Sequence, residues 1–489
     1  MSTISKRLNF LFRSTRGLVM VNIALIALAT AIFGTLSSPM EGLGIKKWLV
    51  DNAGMILLPA EREGRIIALY HAIAMAVIAL ETYLITALYP MKPEEQVRIN
   101  ATVTVGYFLS FFFGLIFAYF GHNFVYHGLF ISGQVLIFFA GCMLAVALWP
   151  WQKKYHIEAK DRARTRGGVD LERVALFAMA VVTLVSALFG AVPGSLFGNG
   201  FESFLAEDII REPVKDPLQR AIVGHLHIML TLIAIALLLI LSRWFDFKGR
   251  LHKWAMPFTI AGTLIIAAGV YMIIPFQPIA HTIITVGSTP MLIAALLLVI
   301  FGFSKLIRER LAELGIQKPS FFQRLAALLH DPLKFGAMWQ LVYMNFGVTI
   351  LGIFMAVRLD EVIRVWPARE ERIVLTGHWH VLSGIIATIL LLYYADLSGL
   401  KGKARQWFGW IIIIGSDLAF GAVALFETKR LYVTEDAQQT LVDVVILLTD
   451  IGLASVLLLL GILMGWRLVD LFKKDGHWSK EFQQPDLKG

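Results

Sequence analysis

Histidines recur at matched positions in three apolar segments of this chain. Each segment begins with an arginine and carries one histidine, or two separated by a single residue, about two helical turns further on. The three stretches are Arg65 followed by Tyr70-His71, Arg220 followed by Gly224-His225-Leu226-His227, and Arg372 followed by Gly377-His378-Trp379-His380. A histidine in hydrocarbon is costly unless it is hydrogen-bonded or ligated, so the repetition indicates a metal or haem site inside a membrane.

The composition favours the same setting. Hydrophobic residues make up 57% of the 489 residues and charged residues 16%, with a mean hydropathy of +0.70, whereas soluble domains carry about 25% charged residues. The net charge of +9 therefore indicates membrane topology and not nucleic-acid binding. The single cysteine, Cys142, excludes disulfides within the chain and the two-cysteine attachment of c-type haem. Any haem must therefore be held by histidines.

Hydropathy predicts twelve membrane-spanning helices. The predicted spans lie near 17–36, 66–89, 101–120, 128–149, 173–195, 219–242, 254–276, 283–304, 338–357, 372–395, 406–426 and 441–464.

Charge in the connecting segments predicts the topology. The alternate loops are neutral or acidic, and the basic segments are the N-terminal residues, the 150–173, 243–253 and 305–337 loops, and the residues around Lys473 and Lys474. The positive-inside rule then places both termini in the cytoplasm, which an even number of spans also requires. We interpret Met1–Arg16 as a cytoplasmic tail and not as a signal peptide.

The twelve spans divide into three units of four helices, roughly 17–149, 173–304 and 338–464, with the histidines always on the second helix of a unit. These three helices enter from the outer side, so their histidines are predicted to share one depth near the outer leaflet. We therefore predict an all-α membrane protein: one polytopic domain over residues 1–489, with a pseudo-threefold arrangement.

Two residues correspond to about 200° around an α-helix. His378 and His380 thus project from opposite faces of their helix, and one segment can serve two sites. The same geometry separates His225 from His227.

This pattern resembles the catalytic subunit of the haem-copper oxidase and nitric oxide reductase superfamily. The resemblance implies that His71 and His380 ligate a low-spin haem and that His378 ligates a high-spin haem. We expect b-type haems, although the sequence does not distinguish haem b from its modified forms. It also implies that His225 and His281 ligate a second metal, copper or non-haem iron, beside the high-spin haem.

The chain departs from this family at the second metal. Thr282 stands where the family has the second of two adjacent histidines, and Met229 stands where one branch has a tyrosine and the reductases a glutamate. Copper or non-haem iron needs about three imidazoles to stay bound. His227 is a candidate third ligand only if its helix is distorted, so the presence of the metal stays open.

Other polar residues have two interpretations each. Arg65, Arg220 and Arg372 are candidates to clamp haem propionates, or they are boundary arginines that snorkel to the surface. Glu81 is a candidate proton carrier, and so, more weakly, are Asp417, Asp443 and Asp450; the alternative for all four is hydrogen bonding between helices or at helix ends.

The histidines also have alternatives to ligation. A single histidine such as His71, taken without the repeats, would be interpreted as a packed side chain bonded to a carbonyl group. His225 and His281 could instead cap carbonyl groups at helix ends or bond a haem propionate. We interpret the remaining histidines as solvated loop residues: His122, His127, His156, His252, His330 and His477.

Two functions follow from the resemblance. The first is a redox enzyme of a prokaryotic inner membrane, in which electrons pass through the low-spin haem to the high-spin haem and reduce a small gas, nitric oxide rather than oxygen. The second is a non-catalytic dihaem cytochrome that carries electrons between quinol and a partner subunit. Either protein would work in membrane lipid as part of a multisubunit complex, with quinol or a cytochrome subunit as the electron donor.

Overall fold

The computed structural model describes residues 3–36, 44–57, 66–121, 123–152, 164–197 and 217–473. Within these ranges, twelve helices are long and apolar enough to cross a membrane, which confirms the predicted number of spans and the all-α membrane class. These spans are Thr15–Ile32, Ile67–Leu88, Pro93–Phe120, Phe124–Ala147, Leu171–Gly194, Pro217–Trp244, Arg250–Met272, Gln277–Glu313, Pro332–Met355, Ile373–Leu397, Gly402–Leu431 and Glu435–Phe472.

The elements follow one another along the chain with few strands. The helices are α1 (Thr3–Arg13), α2 (Thr15–Leu36), α3 (Ile45–Ala53), α4 (Ile66–Leu88), α5 (Pro93–Phe120), α6 (Phe124–Ala147), α7 (Leu171–Phe197), α8 (Pro217–Trp244), α9 (Arg250–Met272), α10 (Gln277–Glu313), α11 (Phe321–Leu328), α12 (Pro332–Val342), α13 (Thr349–Arg358), α14 (Ala368–Leu397), α15 (Gly402–Thr428) and α16 (Gln438–Phe472). A short hairpin of β1 (Thr165–Arg166) and β2 (Val169–Asp170) precedes α7.

Several helices continue past the apolar windows that predicted them. Helix α10 extends to Glu313, although the predicted span ends at 304. Ion pairs one turn apart, Lys305 with Glu309 and Arg310 with Glu313, support this extension where the side chains leave the hydrocarbon. Within the predicted N-terminal tail, Thr3–Arg13 form a helix, α1.

The chain divides into two compact units. Unit 1 comprises Met1–Met291 with Leu471–Gly489, and unit 2 comprises Leu292–Asp470. The threefold repeat and the cytoplasmic position of both termini stay predictions.

Unit 1 brings two of the histidine-bearing helices together. Helix α4 packs against α2, α5 and α8, and α8 packs in turn against α7 and α9. Helices α5 and α6 approach backbone to backbone: a Cβ on Gly133 would lie 2.5 Å from the carbonyl oxygen of Gly106. Such close contacts through small residues are typical of membrane helix pairs. Helices α5 and α6 thus form a closely packed pair, and α5 packs against α4.

Unit 2 contains the third histidine helix, α14. It packs against α12 and α15, and Arg405 at the start of α15 ties these helices together by binding Asp331, with a shortest separation of 2.8 Å, and Asp396. Two π-helical segments, Tyr343–Val348 and Leu359–Ile363, flank α13. Segments of this kind are frequent near functional sites.

Candidate functional site

The side chains of His71 and His225 face each other within unit 1. His71 lies in the second turn of α4 and His225 in the third turn of α8. Their ring centres are 6.2 Å apart, and the ring planes differ by only 15°. The family resemblance assigned these two histidines to different centres, and the structure brings them together.

Both rings are oriented by hydrogen bonds from one nitrogen. His71 Nδ1 donates to the carbonyl oxygen of Ile67 at 2.9 Å, and His225 Nδ1 donates to that of Ser186 at 3.0 Å. Because a carbonyl oxygen can only accept, each Nδ1 must carry the hydrogen, and each Nε2 keeps its lone pair. Ligating histidines in proteins commonly adopt this arrangement.

Gly190 on α7 makes room for the ring of His225. A Cβ at this position would lie 2.2 Å from His225 Nδ1. Any side chain at position 190 must therefore displace the imidazole. By contrast, Gly194, one turn later on the same helix, has open space where a Cβ would be.

The two histidines line a cavity of about 670 Å³ between α4, α5, α6, α7 and α8. Its walls are mainly aliphatic, aromatic and methionine side chains, and its other polar residues include His127, Gln134, Glu81 and Thr183. Ligand pockets in proteins measure about 300–1,000 Å³ and are mostly apolar, with a few polar groups that fix orientation. The cavity therefore has the size and lining of a site for a large apolar cofactor.

Glu81 lines the same cavity from α4, ten residues and about 15 Å along the helix from His71. Its side chain is 4% exposed, and its Oε1 has no hydrogen-bond partner among the described residues. A buried carboxyl oxygen without a hydrogen-bond partner is costly, which marks Glu81 as a functional candidate. The structure thus places the predicted proton carrier in the cavity of the predicted haem ligand.

His227 and His281 do not line this cavity. His227 projects from another face of α8, as the 200° separation predicts, and its Nδ1 donates to the carbonyl oxygen of Val223 at 2.7 Å. Thr282 donates back to the carbonyl oxygen of Pro278 on its own helix, at 3.4 Å. Across the described parts of the chain, no three His, Cys, Asp or Glu side chains gather in a way that could hold a metal ion. The second metal stays a prediction.

In unit 2, His378 is half-buried and His380 is exposed on α14. His380, which the resemblance pairs with His71, thus belongs to a different unit from His71.

Of the predicted propionate clamps, Arg220 lies half-buried in the first turn of α8. Arg65 and the side chain of Arg372 lie outside the described residues.

Glu427 is a buried acid that the sequence analysis missed. Its side chain is 2% exposed, and neither carboxylate oxygen has a hydrogen-bond partner in the described ranges. The carboxylate packs on Gly377, where a Cβ would lie 1.6 Å from Oε1. The predicted span ended at 426, one residue before Glu427, whereas α15 continues to Thr428.

Two histidines interpreted as solvated loop residues are part of the packed structure, so that interpretation was wrong for them. His127 lies in the first turn of α6, lines the cavity and stacks on Phe117 with ring centres 5.1 Å apart. His252 is 0% exposed, because α9 begins at Arg250 and turns this residue inward.

Asp417 accepts hydrogen bonds from Trp339 and Gln340 at 2.7 and 2.6 Å, which matches the alternative of bonding between helices.

His252 belongs to a buried group that we call the inner charged cluster. Its members are Tyr89, Asp170, Glu172, Ser242, Arg243 and His252. Glu172 lies at the centre: it pairs with Arg243, accepts from Ser242 and lies 3.3 Å from His252 Nε2. Burial, and then the nearby Glu172 carboxylate, raise the pKa of Tyr89 well above its usual range, so its hydroxyl group keeps the proton.

The inner charged cluster lies about one helical turn beyond the cavity on α4, where Ile85 lines the cavity and Tyr89 belongs to the cluster. Next to the cluster, Arg173 donates to the carbonyl oxygens of Pro90 at 2.7 Å and Leu148 at 3.2 Å. The cluster and Arg173 thus join the C-terminal ends of α4, α6 and α8 to the N-terminal ends of α7 and α9.

Glu172→Ala is expected to lower the free energy of unfolding by about 3–5 kcal/mol, because it leaves Arg243 and His252 without their shared buried partner. Glu313→Ala, which breaks an exposed ion pair with Arg310, is the matched control and should cost about 0–1 kcal/mol. Thermal unfolding of both variants in detergent measures the difference. Equal stability of the two variants would show that the cluster does not stabilise unit 1.

The comparisons with known proteins found no similar chain: no protein-family model, curated protein or solved structure matches this sequence.

Proposed function

We propose that this chain is a membrane redox protein that binds two b-type haems through histidines of its spanning helices and delivers electrons to a small gas. The proposal joins the resemblance to the haem-copper oxidase and nitric oxide reductase superfamily with one structural observation. That observation is the pair of nearly parallel imidazoles, His71 and His225, in an apolar cavity.

The two imidazoles are close enough to share one metal ion. Their ring centres lie 6.2 Å apart, and both could bind the same ion at the usual metal–nitrogen distance of about 2.0–2.1 Å. Each Nε2 has a lone pair to offer, and the apolar walls suit a macrocycle. These residues therefore fit a haem.

In this proposal His71 and His225 would hold one haem in the cavity of unit 1. The resemblance offers His380 as the alternative partner. The second haem is assigned to His378 in unit 2. Arg220, with Arg65 and Arg372, is assigned to the haem propionates.

A bound haem supplies an iron that gains and loses single electrons. The chain holds and tunes it: the carbonyl oxygens of Ile67 and Ser186 orient the two rings and strengthen their ligation. In this proposal Glu81, which lies on α4 about 15 Å along the helix from His71, carries a proton, and the apolar lining of the cavity keeps bulk water out. The electron donor is quinol or a cytochrome subunit of the same complex in a prokaryotic inner membrane, since the chain contains no c-type haem motif.

Nitric oxide is the better candidate for the reduced gas. Full oxygen reduction in the family draws an electron from a tyrosine near the second metal, and Met229 stands where one branch carries that residue. Met229 lines the cavity of unit 1.

The pairing of His71 with His225 favours a second function, the non-catalytic dihaem cytochrome. If His225 serves the haem in unit 1, the second metal loses one of its two family ligands. The chain would then carry electrons between quinol and a partner subunit without reducing a gas.

Metal analysis of the purified protein separates the two functions. The gas reductase should contain one copper or non-haem iron per chain in addition to haem iron. This metal should disappear in His281→Ala, and the haem should stay because His281 does not line the cavity. The cytochrome should contain haem iron alone and be reduced by quinol. Haem iron without any second metal would contradict the reductase.

A further inference from the structure

Helix α11 lies in unit 2, in the link between the membrane-spanning helices α10 and α12. Helix α10 ends at Glu313 and α12 begins at Pro332. Both are parts of membrane spans, and consecutive spans connected by a link leave and re-enter the membrane on the same side. Helix α11 therefore lies at that membrane face.

The start of α11 is fixed by its own sequence. Ser320 Oγ accepts from the backbone nitrogen of Gln323 at 3.3 Å, and Gln323 Oε1 accepts from that of Ser320 at 2.8 Å. This reciprocal pair is a capping box. It fixes where the eight residues of the helix begin and hence which side chains share a face.

Helix α11 turns its apolar face away from the protein. Ala327 is its buried residue, whereas Phe321, Phe322 and Leu325 are 74%, 78% and 41% exposed. At about 100° per residue, these three side chains lie on the far side of the helix from Ala327. A helix that packed only for stability would show the opposite pattern.

Basic residues border this apolar face. Lys318 and Arg324 are exposed, and neither forms an ion pair with any residue that the structure describes. They belong to one of the basic loops that predict the cytoplasmic side. The cytoplasmic leaflet is negatively charged and attracts lysine and arginine near its surface.

We propose that α11 is an interfacial helix that binds the anionic surface of the membrane. Phe321, Phe322 and Leu325 enter the boundary between headgroups and acyl chains, and Lys318 and Arg324 contact anionic headgroups. Apolar and basic faces with phenylalanine and leucine on one side are typical of helices that lie in this plane. The face of three side chains is also far smaller than the 20–30 residues that each partner contributes to a specific protein interface. The proposal does not depend on the proposed redox function.

Cysteine labelling tests the position of α11. The only cysteine, Cys142, is replaced in a Cys142→Ala background, and a spin label is attached at Phe322→Cys or at the exposed control Gln317→Cys, in the same link outside the helix. The full chain is reconstituted into vesicles of phosphatidylcholine with phosphatidylglycerol. Collisions with oxygen report hydrocarbon, and collisions with a water-soluble nickel chelate report water.

The ratio of oxygen to chelate accessibility should be about tenfold higher at position 322 than at position 317, because only the former is buried in lipid. Adding Lys318→Glu and Arg324→Glu together should lower the ratio at 322 in the anionic vesicles. Equal ratios at the two positions would overturn the proposal. A label at position 322 that neither reagent reaches would also overturn it, because that result means a protein contact. The same holds if the charge reversal leaves the ratio at position 322 unchanged.

Discussion

Replacing His71 with alanine is expected to abolish the sharp α band of the low-spin haem while the protein still inserts into the membrane. His225→Ala should cause the same loss, because its ring lies 6.2 Å from that of His71 and would hold the same haem. His380→Ala should leave the band in place. A reduced-minus-oxidised spectrum of each purified variant measures this, and the reverse result for His225 and His380 would support the pairing that the family resemblance implies.

Gly190 provides a control for this pairing that leaves both histidines intact. Gly190→Ala inserts a methyl group 2.2 Å from His225 Nδ1, whereas Gly194→Ala meets open space on the same helix. The first variant should shift or weaken the α band, and the second should resemble the wild type. Two unchanged spectra would contradict ligation by His225.

Replacing His378 with alanine is expected to abolish carbon monoxide binding by the reduced protein and to spare the low-spin band. The reason is that His378 lies on a different helix and in a different unit from the His71–His225 pair, so its haem can be lost alone. The carbon monoxide difference spectrum is the measurement. His380→Ala is the matched control, two residues away on the same helix, and should keep carbon monoxide binding.

Wild-type protein that binds no carbon monoxide when reduced would contradict an open position at the His378 haem. Loss of the low-spin band in His378→Ala would contradict the independence of the two centres.

The spans could be predicted from the sequence because hydrocarbon demands about 20 apolar residues in succession. All twelve are present in the described ranges, from Thr15–Ile32 to Glu435–Phe472. Helix periodicity also predicted correctly that His225 and His227 face different ways. Both predictions depend only on local geometry, which neighbouring helices do not change.

The contents of the candidate site could not be predicted in the same way, because they depend on which helices are neighbours. His71 meets His225 only because α4 packs against α8, and no pattern within either span indicates this contact. His127 and His252 lie near helix ends, where the sequence is equally compatible with exposure and with burial. Their burial follows from the packing of α6 and α9 against other helices.

Glu81 shows the middle case. The sequence marked it as a candidate because an acid inside a span is rare, and the structure adds that it shares a cavity with His71. Its distance along the helix was predictable, but the cavity that joins the two residues was not. Cavities arise from the side chains of several helices and leave no mark on any one of them.

The most direct test of the account is the haem content of the purified wild-type protein. We predict two b-type haems per chain by pyridine haemochrome analysis, falling to one in His71→Ala and to one in His225→Ala. A wild-type chain purified from haem-sufficient cells that contains no haem would contradict the proposed function, whatever its redox partners are.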